Sequence, residues 1–152
     1  MQGCSPQERF CELMDKDPRF HAEAYGFVFE ALDYTVREVH GTDPGPEPPS
    51  SHHVTGRDLL EGIRRYALER FGCLAALVFH FWGIHRTDHF GEMVFNLVDH
   101  GLMGKQDSDR KEDFADGFGG RPFEEIFHVD PVLEYYPEKD EWKASYENVV
   151  YG

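Results

Sequence analysis

Cysteine is scarce in this sequence. The three residues Cys4, Cys11 and Cys73 are odd in number and form no C-x-x-C pair. A disulfide framework uses an even set of cysteines, and structural zinc sites use closely spaced pairs. The pattern therefore supports neither a disulfide-stapled domain nor a zinc knuckle, and we expect a reducing, cytoplasmic environment.

A long hydrophobic run is also missing. The most apolar stretch spans residues 73–79 and continues beyond His80 with Phe81 and Trp82. It is shorter than the roughly 20 residues that a helix needs to cross a bilayer, and the chain begins MQGCSPQERF, without a basic leader. We therefore expect neither membrane insertion nor secretion.

Positive charge is in short supply. Fifteen Lys and Arg face 29 Asp and Glu, so the formal net charge is −14 at pH 7. Such a field repels the phosphates of nucleic acids and anionic lipids. The composition favours a protein partner, basic in character, and makes nucleic-acid and membrane binding poor expectations. It says nothing about the oligomeric state.

Dedicated catalytic motifs are absent from the sequence. It contains no G-x-S-x-G nucleophile elbow, no P-loop, no G-x-G-x-x-G and no H-E-x-x-H. Carboxylate–histidine sites that only folding assembles would escape such a search. We therefore lean toward a non-catalytic protein without a cofactor and leave the question of an enzyme open.

What the sequence does contain is enough apolar material for a core. Of its 152 residues, 40% are hydrophobic and 14% are aromatic. A chain of this length buries roughly 70% of its unfolded surface without needing a disulfide or a metal. We therefore expect one domain over residues 1–152.

The first quarter of the chain predicts a helical hairpin over residues 5–41. Apolar residues at helical spacing indicate a helix over 5–16, and Asp17-Pro18 resembles an N-cap followed by proline at the first position of the next helix. That second helix ends at Gly41. Its apolar face comprises Phe20, Ala24, Phe27, Val28, Ala31, Leu32, Thr35 and Val39.

A proline-rich loop over residues 42–54 separates this hairpin from the next helix. The loop holds four of the nine prolines, which exclude both a helix and a central strand. Thr55 then reads as an N-cap, with Asp58 completing a capping box, and Gly72 as the stop of the helix.

Two more helices complete a three-helix unit. Residues 73–84 are apolar nearly all round, so periodicity alone leaves a helix and a strand open. Their length and alanine content favour a buried helix in which His80 is a capped core residue. Thr87 or Asp88 caps the last helix, which runs over 88–100 before Gly101.

The last helix sorts its residues into two sides. Apolar side chains fill one broad side when residues are placed 100° apart. The remaining arc is polar, acidic and free of lysine and arginine, so we interpret it as an exposed face that binds a partner. This predicted face comprises His89, Glu92, Asn96, Asp99 and His100.

The histidines suggest an alternative, a metal-dependent enzyme. Imidazole and carboxylate are ligands that suit zinc or iron, and residues three apart on one helix, such as His89 and Glu92, can reach one ion. The break expected at Arg86-Thr87 separates the other histidines from this pair. The candidate ligand set is His80, His85, His89 and Glu92.

A third hypothesis is nucleic-acid binding through the helix that contains Arg57 to Arg70. This segment holds the main local cluster of cations, but carboxylates interleave with them, and a solvated helix face with ion pairs is the simpler interpretation. The cations are Arg57, Arg64, Arg65 and Arg70, and the carboxylates are Asp58, Glu61 and Glu69.

The chain closes with a wing-like segment and a tail. The segment LMGKQDSDRKEDFADGFGG predicts two short strands around a charged turn, which completes a winged-helix-like half over residues 55–122. The acidic tail over 123–152 carries many aromatics, which either pack back on the domain, as we expect, or dock a basic partner. These aromatics are Phe123, Phe127, Tyr135, Tyr136, Trp142, Tyr146 and Tyr151.

Two resemblances add to this pattern. Three helices from Thr55 to His100 followed by GLMGKQDSDRKEDF resemble the helix-turn-helix and wing of the winged-helix fold, over residues 55–119. DPRFHAEAYGFVFEAL, HVTGRDLLEGIRRYALERFG and WGIHRTDHFGEMVFNLVDHGLM resemble blocks of a family of uncharacterised small proteins found chiefly in planctomycetes and verrucomicrobia. The second resemblance spans about residues 17–127 and implies no site residue, because the family has no established activity.

These patterns predict a mainly α protein, a helical hairpin joined to a winged-helix-like three-helix unit with a small β-hairpin. The favoured function is a non-catalytic protein-binding or regulatory module that uses the acidic helix face. The winged-helix resemblance does not bring DNA binding with it, because that face has no cation to meet a phosphate.

Overall fold

The computed structural model of the protein describes residues 4–41, 54–104 and 111–146. The proline-rich segment 42–53 and the centre of the expected wing, 105–110, lie outside the described residues, as do the last six. In chain order the elements are helices α1 (Pro6–Lys16), α2 (Ala22–His40), α3 (Gly56–Phe71), α4 (Ala75–Phe81), α5 (Thr87–Asp99) and α6 (Phe123–Ile126), then strands β1 (Pro131–Tyr136) and β2 (Glu141–Tyr146). The prediction of a mainly α fold with a small β-hairpin is confirmed. None of the described helices is long and apolar enough to cross a membrane.

The turn between α1 and α2 differs from its prediction. Asp17 was expected to cap α2, but α2 begins at Ala22 after His21, whose Nδ1 accepts the backbone N–H of Glu23 at 3.1 Å. The Asp17 carboxylate instead accepts two hydrogen bonds of 2.8 Å from the Arg19 guanidinium. A charged donor two residues away binds the carboxylate more strongly than the backbone amides of a helix start would.

Helix α3 begins and ends where its sequence indicates. The Thr55 side chain accepts from the Asp58 N–H, the Asp58 carboxylate accepts from the Thr55 N–H, and Gly72 ends the helix with φ of 54°. Midway along α3, a Cβ on Gly62 would lie 1.8 Å from Thr35 Oγ1 on α2. Glycine at this position therefore sets how closely α2 and α3 approach each other.

Helix α4 is half exposed, so the expectation of a buried helix with a core histidine is wrong. A 3-10 turn over Gly72–Leu74 precedes it, and Ala75 and Phe79 are fully buried. His80 is exposed. A helix of seven residues contacts the rest of the protein through one side only. Its other side stays exposed although it is apolar, because no other element packs against it in the described part of the chain.

Helix α5 lacks the expected side-chain cap. Arg86 occupies the N-cap position, and Thr87 instead donates its hydroxyl to the Phe114 carbonyl at 2.6 Å. The Gly117 N–H donates to the same hydroxyl at 3.0 Å. Thr87 therefore fastens the start of α5 to the segment 114–117, while Gly101, with φ of 68°, follows its end as expected.

The described part of the expected wing consists of 3-10 turns rather than strands. They span Lys111–Phe114 and Gly117–Gly120. Phe114 is 1% exposed, and a Cβ on Gly91 of α5 or Gly56 of α3 would lie 2.9 Å or less from the chain at residues 113 and 114. Burial of this phenylalanine between two glycines draws the segment onto the helices, which the charged sequence around it did not indicate.

The sheet of the described chain lies further on, where β1 and β2 pair antiparallel in the register Pro131↔Tyr146 to Tyr136↔Glu141. The segment before it, with Phe123, Ile126, Phe127 and Val129, is buried in the same hydrophobic cluster as the helices. The Phe127 ring lies 5.0 Å from the ring of Phe79 on α4. The first part of the tail therefore packs back as expected, and the hairpin that follows leaves the body next to α4.

Candidate interaction surfaces

The predicted binding face on α5 is largely covered. Only Asp99 is exposed, and Glu92, Asn96 and His100 are partly buried. His89 is 8% exposed, so the prediction that it lies on an open arc is wrong. The α1–α2 turn packs against this side of α5, a contact that helical periodicity alone does not show.

His89 is part of the core. Its ring centre lies 5.4 Å from that of Phe20, and its Nδ1 accepts the backbone N–H of His85 at 3.0 Å. Burial lowers the pKa of His89, and the nearby Arg86 cation lowers it further. The imidazole is therefore held neutral with its proton on Nε2, and it orders the turn before α5.

Glu92 and Asn96 belong to a polar network that joins α5 to the α1–α2 turn. Arg19 donates to Asp17 at 2.8 Å and to Glu92 at 3.2 Å. Asn96 Nδ2 donates to Asp17 at 2.9 Å and to the Tyr25 hydroxyl at 3.1 Å. Hydrogen bonds from Arg19 hold the pKa of Asp17 well below its usual range, while burial raises the pKa of Tyr25.

A groove of about 590 Å³ runs between α1 and the end of α5. Asp99 and His100 line it, together with residues of both signs from α1. His100 Nδ1 lies 2.9 Å from the Asn96 carbonyl, and Arg9 donates to the Gly101 carbonyl at 3.3 Å. Since cations of α1 lie beside Asp99, the groove is not the uniformly acidic surface that the sequence of α5 alone suggests.

The candidate metal ligands are neighbours without converging. The rings of His80 and His85 lie 5.0 Å apart, and those of His85 and His89 lie 5.9 Å apart. Glu92 binds Arg19, and His89 Nδ1 accepts a backbone N–H. Within the described ranges, no group of three or more His, Cys, Asp or Glu side chains is placed to hold a metal ion.

The arginines of α3 have carboxylate neighbours. Arg64 and Arg65 contact Glu61 at 3.3 Å and 3.2 Å, and Arg70 forms a short ion pair with Glu30 of α2. Arg57 lines a cavity of about 330 Å³ together with carboxylate residues. These pairs make α3 a solvated, charge-balanced face rather than a cationic stripe for phosphates.

The hairpin carries an apolar face that is open to solvent. Successive side chains of a strand alternate between faces, so the register places Leu133, Tyr135 and Trp142 on one side. They are 66%, 45% and 67% exposed. We call this side, with its five described residues Pro131, Leu133, Tyr135, Trp142 and Ala144, the hairpin face.

An acidic rim surrounds the hairpin face. The rings of Tyr135 and Trp142 lie 5.1 Å apart, and the Tyr135 hydroxyl donates to Asp140 at 2.8 Å, which raises the pKa of Tyr135. On the opposite side, Lys143 lies over the Tyr136 ring at 5.2 Å. The rim of the hairpin face consists of Asp130, Glu138, Lys139 and Asp140, whereas Glu134, Glu141 and Lys143 lie on the opposite side of the strands.

A second open apolar surface lies on the outer side of α4. Leu74, Leu77 and Phe81 are spaced three and four residues apart and are 54%, 50% and 77% exposed. We call these three residues the α4 face. No Asp or Glu occurs between Gly72 and Thr87. The α4 face therefore lies in the longest part of this acidic sequence that has no carboxylates.

Sequence reasoning singled out the tail aromatics but missed both faces. In PVLEYY only Glu134 interrupts the apolar residues, so the sequence does not show which side of β1 is exposed. For the α4 face, the lack of carboxylates was visible, but the all-round apolar pattern indicated burial instead.

The chain gave no match to a protein-family model, a curated protein or a solved structure. The winged-helix and planctomycete-family resemblances therefore stay predictions.

Proposed function

We propose that the chain is a non-catalytic protein-binding module whose binding surfaces are the hairpin face and the α4 face. The observation that carries this proposal is the exposure of three large apolar side chains on each face, between 45% and 77% of each residue. Contiguous exposed apolar groups of this kind are characteristic of interaction sites.

The composition of the hairpin face fits a binding role. Tryptophan and tyrosine are the residues that most often dominate binding energies, and Tyr135 and Trp142 form a cross-strand ring pair that is ordered before any partner arrives. Burying an exposed leucine or aromatic side chain is worth about 1.5–3 kcal/mol. Leu133 and Trp142 together therefore offer a large part of the binding energy of a small interface.

The charges favour a partner surface that is neutral or basic. The acidic rim of the hairpin repels acidic proteins at short distance. The net charge of −14 repels them at longer distance as well. In this proposal Asp99 of α5 adds to the negative electrostatic potential, while Glu92 and Asn96 bind Arg19 and Asp17 and so fix the α1–α2 turn to α5. Three exposed cysteines, none of them in a disulfide, agree with a cytoplasmic setting.

A photoreactive side chain on each side of the hairpin tests the proposal. We expect such a residue at position 142, on the hairpin face, to form a covalent adduct with a protein in native lysate. The matched control at position 143, on the opposite side of the same strand, should not. Equal adducts at both positions, or none at either, would contradict a binding role for the hairpin face.

The same experiment tests the α5 face. Asp99→Lys, at the exposed residue of this face, in the chain that carries the photoreactive residue at 142 should leave the identity of the adducts unchanged. Loss of the adducts in this variant would indicate that the partner binds α5.

A further inference from the structure

Resting on that proposed function, we propose that the partner is a second copy of the chain. In the resulting two-fold dimer, the hairpin face of each copy packs on the α4 face of the other. The arrangement is reciprocal, so one symmetry axis generates both contacts, and both apolar surfaces of each chain are covered.

The hairpin itself calls for a helix. A two-stranded hairpin is marginally stable in water unless its apolar side packs against a helix or further strands. Leu133 and Trp142 are about two-thirds exposed, so none of the helices in the described part of the chain covers that side. The opposite side of the hairpin carries the half-buried Val132 and Tyr136 among Glu134, Glu141 and Lys143, so the large side chains left open to solvent are those of the hairpin face.

The α4 face has the form of the missing helix. Leu74, Leu77 and Phe81 form one ridge, at the spacing by which a helix inserts its anchors into a partner surface. The strands have six residues each, or about 20 Å at 3.3 Å per residue. The helical segment 72–81 extends over roughly 15 Å and so spans about three-quarters of the length of the strands.

Charge distinguishes this pairing from the other two. Two hairpin faces packed together would bring their acidic edges close to one another, three carboxylates and one lysine on each. The α4 face lies in a stretch whose only charged side chain is Arg86, with His80 and His85 beside it. A hairpin on α4 therefore sets an acidic rim against a neutral to basic surface.

The area agrees with a dimer only if the contact is reciprocal. Aromatic side chains present roughly 150–250 Å² and leucines somewhat less, so the exposed parts of the six side chains amount to roughly 650 Å² per chain. Two reciprocal contacts bury about 1,300 Å² in total, within the range of stable interfaces, which begins near 1,200 Å². Pairing of two α4 faces alone would bury about half of that, which is the size of a packing contact.

Position favours exchange between copies over closure within one chain. Phe127 lies 5.0 Å from Phe79 on the buried side of α4, and the hairpin starts four residues later. The hairpin therefore begins beside α4, while Leu77 points away on the outer side of that helix. A second copy related by a two-fold axis brings both unmatched surfaces together.

Sedimentation equilibrium of the full chain tests the dimer. From low to several hundred micromolar, we expect the mass to rise from 17.6 kDa toward twice that value. Leu77→Ser and Leu133→Ser should each weaken dimerisation about a hundredfold, because each substitution removes a buried leucine from both contacts. Val39→Ser, at a residue 48% exposed on α2, is the matched control and should leave the dimer unchanged.

Mixing the two deficient variants gives the sharpest result. The Leu77→Ser chain keeps its hairpin face and the Leu133→Ser chain keeps its α4 face, so a mixed dimer regains one complete contact that neither variant alone can form. The other contact of the mixed dimer carries both substitutions, so the mixture should associate at least as strongly as the weaker variant, and more strongly than both where Leu77 and Leu133 contact each other. A wild-type chain that stays monomeric at several hundred micromolar, or a mixture that associates more weakly than both of its components, overturns the dimer.

Failure of the dimer and failure of the proposed function have different results. A monomeric chain whose residue 142 crosslinks to another protein overturns the dimer and retains the binding module. Crosslinks from residue 142 to α4 of a second copy support both. A monomeric chain without adducts overturns both.

Discussion

On α5, the side chains that look available in the sequence are held by other parts of the chain, whereas on the hairpin they lie open. Glu92, Asn96 and His89 each bind a group from outside their own helix or pack on a core ring. Leu133 and Trp142 of the hairpin face are about two-thirds exposed. Polarity marks the first set as surface and apolarity marks the second as core, and the structure reverses both assignments.

The difference teaches what makes a surface available for binding. A polar residue beside a charged turn is easily satisfied within the chain, because one guanidinium serves two carboxylates, as Arg19 does for Asp17 and Glu92. An apolar side chain is stabilised only when other atoms bury its surface. The side chains of the hairpin face have no such cover within the described part of the chain. In this chain, exposed apolar side chains therefore identify the proposed binding surfaces better than charged side chains do.

The largest effect separates the two regions by stability. Phe79→Ala, at a fully buried ring that contacts Phe27, Phe90 and Phe127, should lower the free energy of unfolding by about 4 kcal/mol because it leaves a cavity. Trp142→Ala should cost less than about 1 kcal/mol in the monomer. Urea denaturation at low micromolar concentration measures both. Equal losses would mean that the hairpin is part of the core.

Next in size is a test of close packing in the body. Gly62→Ala should lower the free energy of unfolding by about 2–3 kcal/mol, because its Cβ would overlap Thr35 on α2. Gly26→Ala is the matched control, since no atom lies within 4 Å of its added Cβ, and it should stabilise α2 by about 0.5–1 kcal/mol. Both are measured by urea denaturation, and two changes of the same sign would show that the α2–α3 approach is looser than described.

A third comparison lies within α5 itself. Asn96→Ala should cost about 2 kcal/mol, since it removes a hydrogen bond to the ionised Asp17 and leaves the Tyr25 hydroxyl unpaired. Asp99→Ala, at the exposed position one helical turn on, should change stability by less than about 0.5 kcal/mol. If thermal unfolding shows the reverse order, the α5 face is open after all.

The smallest effect concerns pH. Burial lowers the folded-state pKa of His89 below its ordinary value of 6.5, so the unfolded chain binds the proton more readily. Stability should therefore fall as the pH decreases through 6.5 toward the folded pKa. His89→Asn, which cannot titrate, should flatten this part of the profile of unfolding free energy against pH. An unaltered slope would mean that His89 is solvated.

Local signals predicted much of the fold. The capping box of Thr55 and Asp58, the glycine that ends each of α2 and α3, and the apolar stripe of α2 depend on neighbours within a few residues, and sequence spacing shows these directly. The errors arose where another partner competes for a capping group: Arg19, two residues away, binds Asp17, and the distant Phe114 carbonyl binds Thr87.

The interaction surfaces were harder to predict for a related reason. Whether Leu77 or Leu133 is core or surface depends on whether another element covers it, and periodicity is the same in both cases. The predicted α5 face failed in the opposite sense, because the α1–α2 turn covers His89. To predict the exposed surfaces of this chain, one therefore has to know which helices and turns pack against each other.

The most direct measurement follows the single residue Trp142. In a Trp82→Phe background it is the only tryptophan, so its quenching by acrylamide reports on the hairpin face alone. We predict strong quenching at low protein concentration and protection as the concentration rises, with protection lost in Leu77→Ser. Quenching that is the same at every concentration, or protection already complete in the monomer, would contradict the account.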